Sequence, residues 1–206
     1  MKKLFILIGV LSIFGLKAEN AGASALSFGA IGGVVYNSAS MSNAGVSVDT
    51  SGKAVFAGGL TAEIGLPANF GLELDMLYIK QQFSRDTADF FGTNVTSTAS
   101  SGTLQFPLML RFHLIPFLNP GVGFYYGRTI TSWSVSADNF NSTTTNYGKN
   151  DLGFVLALGT SFPIAGIINL VADLRYTRSL NNSGSGTDNS LKFSQIQFLA
   201  GVRFDL

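Results

Sequence analysis

The residues able to carry chemistry are few. The chain has one histidine, His113, and no cysteine, which removes the thiolate and imidazole sets that build zinc sites and cysteine nucleophiles. A nucleophilic relay would need His113 as its base, and no His-x-Ser phrase accompanies it. The aspartates of the polar connections (Asp49, Asp86, Asp89, Asp138 and Asp188) lack the ligand spacing of a calcium loop. Neither a metal nor a cofactor is expected. What remains is a set of opposite charges, Glu63, Glu73, Asp75, Asp173 and Asp205 with Arg111, Arg175 and Arg203, and every one of them falls on an odd number. Charges of both signs confined to one face can satisfy one another inside a narrow enclosure, where isolated charges would be costly.

The elements that would present such a face are strands. Alternation with period two runs through eight segments, roughly 25–36, 53–65, 70–80, 103–115, 118–128, 150–162, 168–178 and 191–206. Within them the even positions carry the apolar set, and over 26–36, 54–64, 70–78, 104–114, 118–126, 152–162, 168–176 and 194–206 those positions include no Asp, Glu, Lys or Arg. The odd positions hold ten charges, counting Lys53 and Asp151 at the ends, together with His113 and many glycines. The connections alternate as well. Those at 36–53, 80–103, 128–150 and 178–191 are long and rich in Ser, Thr, Asn and Gly, whereas LPANF, IPF and PIAGI are short turns. Segments of about 11 residues, tilted near 45°, span about 25 Å, the height of an outer-membrane apolar band. The expected fold is all-β, an eight-stranded antiparallel up-and-down transmembrane β-barrel with four long loops at one end. A soluble sandwich or lipocalin-like barrel would show the same period with its faces reversed. The total lack of charge on one face, the difference between the two sets of connections and the small residues on the odd face favour the membrane arrangement.

Composition agrees. With 206 residues there is room for one domain, and only 12% of them are charged, too few for an ordinary soluble surface. The first 18 residues, MKKLFILIGVLSIFGLKA, place Lys2 and Lys3 before a short apolar run, as a secretory signal peptide does. Residues 19–206 then form the barrel domain. Without Lys2, Lys3 and Lys17 the thirteen basic residues become ten against twelve acidic ones, which argues against a nucleic-acid partner.

The upward strands end alike. YIK (Tyr78–Lys80), YGR (Tyr126–Arg128) and YTR (Tyr176–Arg178) each set an even-numbered tyrosine two residues below an even-numbered base. Tyr36 ends the first strand without a base, and Lys192 occupies the matching height on the last. Tyrosine favours the headgroup level, and a cation there snorkels or meets phosphate. Lys80, Arg128, Arg178 and Lys192, with these four tyrosines, are therefore the candidate rim for lipopolysaccharide. Phe70, Phe112, Phe162 and Phe204 would form the opposite girdle.

The phrases LQFPLMLRF (104–112), GVGFYYGR (121–128), DLGFVLALGTSF (151–162), DLRYTRSL (173–180) and the closing GVRFDL resemble the outer membrane protein beta-barrel domain family of small OmpA/OmpX-type and porin-family barrels. The resemblance implies a Gram-negative outer-membrane location after Sec-type export. It also implies recognition of the end of the chain by the barrel assembly machinery through Gly201, Phe204 and Leu206. No peptidoglycan-binding domain is expected after Leu206. Relatives that trim or acylate lipid A work on the lipid side, whereas the parity of His113 aims it into the lumen, so the chain is not expected to be an enzyme.

Two functions then stand. The first is a monomeric barrel with a structural or surface-interaction role, contacting outer-membrane lipids and displaying loop tips such as DFFG (89–92) and SWSVS (132–136), which holds Trp133. The second is a small-solute or ion pore gated by partner exchange within the lumen network. Glu73 with Arg111 and Asp173 with Arg203 are the pairs expected from neighbouring strands.

Overall fold

A computed structural model describes residues 26–43, 46–50, 53–88, 94–115, 117–131, 133–137, 140–144, 150–181 and 189–206. The leader at 1–18 and the DFFG tip lie outside the described residues. Eleven strands follow in chain order: β1 (Leu26–Asn43), β2 (Val46–Thr50), β3 (Ala54–Leu66), β4 (Phe70–Ala88), β5 (Asn94–Phe112), β6 (Asn119–Thr129), β7 (Trp133–Ala137), β8 (Phe140–Thr144), β9 (Asn150–Ala165), β10 (Ile168–Ser179) and β11 (Asn189–Asp205).

Eight of them close a barrel. The antiparallel order is β1, β3, β4, β5, β6, β9, β10, β11 and back to β1. Following the register once around, from Asp205 through Ser27, Glu63, Glu73, Met109, Gly123, Val155 and Thr177, returns to β11 at Gln195, ten residues higher. That stagger tilts the strands by roughly 35–45°. The expected strand order and closure are thus observed.

Two features differ from the sequence expectation. Strands β1, β4 and β5 run on to Asn43, to Ala88 and from Asn94, well above the predicted segments, and β2 and the β7–β8 hairpin pair with them. Those stretches are rich in Ser, Thr and Asn and carry no greasy alternation, so period counting reads them as loop. Their backbone pairing defines them as strands.

The parity holds on every barrel strand: Leu74, Leu108, Phe124, Leu156, Leu174 and Phe198 are exposed, and the odd positions between them are inside. The lumen is less polar than its charges suggest. Ile31, Val35, Val55, Ala57, Leu77, Ile79 and Leu199 pack into an apolar cluster along one wall, with Met109, Val155 and Ala157 forming a second.

Glycines let the neighbouring strands close up. At Gly33 an added Cβ would stand 1.8 Å from the Phe198 carbonyl oxygen and 2.9 Å from the Leu199 Cα, both backbone atoms that no side-chain rotation can clear. Gly33→Ala is therefore expected to destabilise the barrel by about 1–3 kcal/mol, the usual cost of overpacking, read as a lower urea midpoint for loss of the heat-modifiable folded band. An unchanged midpoint would show that the β1–β11 seam relaxes freely.

Candidate functional site

Most of the charged residues on the odd face meet in the lower half of the lumen, toward the short turns. Glu63 on β3 lies 2.6 Å from His113 Nε2 and accepts a 2.6 Å hydrogen bond from Arg203 Nη1. Above them Arg111 on β5 grips Glu73 with Nε and Nη2, at 3.0 and 2.9 Å. The same guanidinium donates from Nη1 and Nη2 to the two oxygens of Asp173, at 2.9 and 2.5 Å. Arg175 on β10 donates to Glu73 at 2.9 Å, to Asp173 at 2.7 Å and to Asp75. Strand β5 borders β4 and β6, and β10 borders β9 and β11, so the links from Arg111 to Asp173 and from Arg175 to Asp75 must cross the lumen.

The planar forks of arginine suit such bars, because one guanidinium serves two or three carboxylates at once. Space for them comes from glycine. A Cβ on Gly121 would meet the Arg111 Cδ at 2.9 Å, and one on Gly159 would meet the Asp173 Oδ1 at 2.7 Å. Asp75 stands where the wall itself is interrupted. The β4–β5 ladder omits the pairs of Asp75 and Met76 with Pro107 and Phe106, since proline has no N–H to donate. Thus the bar from Arg175 ends at the one break in that ladder.

The expected pair of Glu73 with Arg111 is present. Asp173 and Arg203 do not pair: Asp173 turns to Arg111 and Arg175, and Arg203 reaches across β1 to Glu63. Neighbouring-strand reasoning missed this because long side chains in a narrow barrel reach past the adjacent strand. Asp205 sits at the lower margin, 4.0 Å from the Arg203 Nε and accepting from Asn169 Nδ2 at 2.7 Å.

Neutral residues absent from the sequence expectation add further bars. Gln197 Nε2 on β11 donates to Gln105 Oε1 on β5 at 3.0 Å, again between strands that are not neighbours, and to Gln195 at 2.9 Å. Nearer the outer mouth the Tyr125 hydroxyl donates to Asp151 at 2.7 Å, with Ser179 donating to the same carboxylate. Their odd numbering was the available signal; charge alone drew attention elsewhere. A cavity of about 30 Å³ remains among Glu63, Glu73, Arg111, His113, Asp173 and Arg203, room for about two waters. Among the described residues no group of three or more His, Asp or Glu could hold a metal ion.

On the outer surface Tyr36, Tyr78, Tyr126 and Tyr176 are exposed, as are Lys80, Arg128, Arg178 and Lys192. They form a girdle rather than one cluster. Only Arg178 and Lys192 stand on adjacent strands, Arg178 being opposite Ser194; Lys80 and Arg128 are on β4 and β6, separated by β5. The Tyr126 hydroxyl donates to Asn150 at 2.9 Å. At the other end Phe70 stacks on Phe112 at 4.9 Å and Phe28 on Phe204 at 5.7 Å. From Phe70 to Lys80 strand β4 climbs roughly 25 Å at about 3.3 Å per residue and this tilt.

The sequence profile of the outer membrane protein beta-barrel domain family matches residues 7–204. No curated relative matches. Among solved structures the chain is similar to the outer membrane protein OprG from Pseudomonas aeruginosa, at 16% identity and a TM-score of 0.52, covering 89% of this chain and 97% of that one. It is also similar to Ail, the attachment invasion locus protein of Yersinia pestis, at 13% identity and a TM-score of 0.44, covering 87% and 99%. The outer membrane protease OmpT from Escherichia coli aligns at 10% identity and a TM-score of 0.47, covering 92% and 100%.

Proposed function

The chain belongs to the outer membrane protein beta-barrel domain family, and from that premise we propose that it is a monomeric, non-enzymatic barrel with a structural or surface-interaction role, acting through its four extracellular connections. The observation that carries this reading is the stack of bars across the lumen, from Arg203–Glu63 through Arg111–Asp173 and Arg175–Asp75 to Gln197–Gln105. Parting one buried ion pair costs about 3–5 kcal/mol, a factor of roughly a hundred to several thousand in population. A pathway through the barrel would need several to part together. With the lumen shut, the parts left to work are the outer surface and the connections above it.

Planar bilayers loaded with the folded chain test this directly, and no steady conductance is expected. The competing reading, a small-solute or ion pore with a gated lumen, requires steady channels that Arg111→Ala alters. Such channels would overturn the closed-barrel proposal.

The rim extends the same reading to its lipid partners. Lys80, Arg128, Arg178 and Lys192 bind lipopolysaccharide phosphates, with Tyr36, Tyr78, Tyr126 and Tyr176 at the headgroup level just below them. Replacing all four bases by glutamine is expected to weaken lipopolysaccharide binding while the heat-modifiable gel shift persists; undiminished binding would end the idea of a specific site. Export through residues 1–18 and recognition of Gly201, Phe204 and Leu206 by the assembly machinery complete the proposal.

A further inference from the structure

The three short turns at the periplasmic end, 66–70, 114–118 and 163–167, contain no Asp, Glu, Lys or Arg. Two of them also present large apolar side chains outward. Leu114, Ile115 and Phe117 of the β5–β6 turn are 49, 55 and 57% exposed, and Ile164, at the end of β9, and Ile167, in the β9–β10 turn, are 62 and 55% exposed. The Phe117 ring lies 5.3 Å from that of Phe162 on β9, so these turns continue the phenylalanine girdle without a polar break. The β3–β4 turn is different. Its tip is Pro67, Ala68 and Asn69, all exposed, with Ala68 and Asn69 at φ of 61° and 62°.

Part of the backbone of the two apolar turns also finds partners within the chain. Pro116 and Pro163 carry no N–H to be satisfied. His113 donates its N–H to the Asn69 carbonyl at 2.7 Å, Leu114 to Phe112 at 3.0 Å and Leu118 to Ile115 at 3.0 Å, while the Ile167 carbonyl accepts from Asp205 at 2.8 Å. Backbone polar groups with internal partners are the condition for leaving water. A protein-binding patch would carry a polar rim around its apolar centre. These turns lack charge altogether, and the surface they extend already faces lipid.

We propose that the β5–β6 and β9–β10 turns are a second lipid-contact surface, immersed at the glycerol and upper acyl level of the periplasmic leaflet, while the β3–β4 turn stands in water. The partner is glycerophospholipid. The barrel consequently rests deeper on the side of β5, β6, β9 and β10.

The absence of cysteine makes the test direct. Single-cysteine variants Ile115→Cys, Ile164→Cys, Ile167→Cys and Ala68→Cys are spin-labelled in the folded chain in vesicles of phosphatidylethanolamine and phosphatidylglycerol. Collisions with oxygen and with a water-soluble nickel chelate are then compared. The oxygen-to-nickel ratio is expected to be several-fold higher at 115, 164 and 167 than at 68. Equal, water-like ratios at all four positions would overturn the proposal and leave the apolar turns for a periplasmic protein. Heat-modifiable mobility reports folding of each variant; Phe117→Cys replaces Ile115→Cys if that does not fold, Asn69→Cys replaces Ala68→Cys, and positions 164 and 167 stand in for one another, so each turn is read.

Discussion

Arg175→Leu is expected to lower the unfolding free energy by about 3–5 kcal/mol, the cost of removing one partner from a buried ionic set. Arg175 is 1% exposed and donates to Asp75, Glu73 and Asp173. Its loss deprives Asp75 of its only ion-pair partner among the described residues, whereas Glu73 and Asp173 keep Arg111. The penalty should therefore concentrate on one carboxylate, and the double variant Arg175→Leu with Asp75→Asn should recover most of the loss. Urea titration in lipid vesicles, followed by heat-modifiable gel mobility, reads both. If the double variant were as unstable as the single one, the damage would come from lost packing in the lumen rather than from a stranded charge.

Leu74→Arg should cost about 2–4 kcal/mol, the penalty for an arginine facing lipid near the bilayer midplane, whereas an interfacial arginine costs about 0–1 kcal/mol. Leu74 is 43% exposed on the even face of β4, between Phe70 and Tyr78. Arg178, on the same face of β10 but two residues above Tyr176, stands at the interface, so Arg178→Leu should leave folding stability in vesicles nearly unchanged. The contrast between the two substitutions measures where hydrocarbon ends. Equal effects would mean that the exposed even face does not lie against a bilayer, and the membrane assignment of the strands would fail with it.

The outward and inward faces were legible because side chains alternate along each strand irrespective of what the strand pairs with. One local rule placed Leu74 and Leu156 outside and Glu73, Asp75, Arg111 and Arg175 inside. The closure could be read from the alternation of short and long connections. The strands at the end of the long connections could not: the upper parts of β1, β4 and β5, and β2, β7 and β8, show no apolar period, and only their backbone pairing defines them.

Nor could the partners of the lumen charges be read. The sequence placed Asp173 and Arg203 on adjacent strands, a sound basis for pairing if side chains met only their neighbours. In the closed barrel the reach of an arginine spans much of the interior, and Asp173 lies between two guanidiniums from β5 and its own strand. Glutamines escaped notice for a similar reason. Gln105 and Gln197 are far apart in the chain and on strands that never touch, yet they meet at 3.0 Å inside.

By itself the sequence determined which residues face lipid and which face the lumen, how many strands close the barrel and at which end the long connections lie, because these depend on local periodicity and chain order. Only the tertiary structure decided which lumen charges join, and that they join across the interior. That outcome depends on the ten-residue stagger and on the small radius it imposes, properties of the closed sheet that no single strand contains.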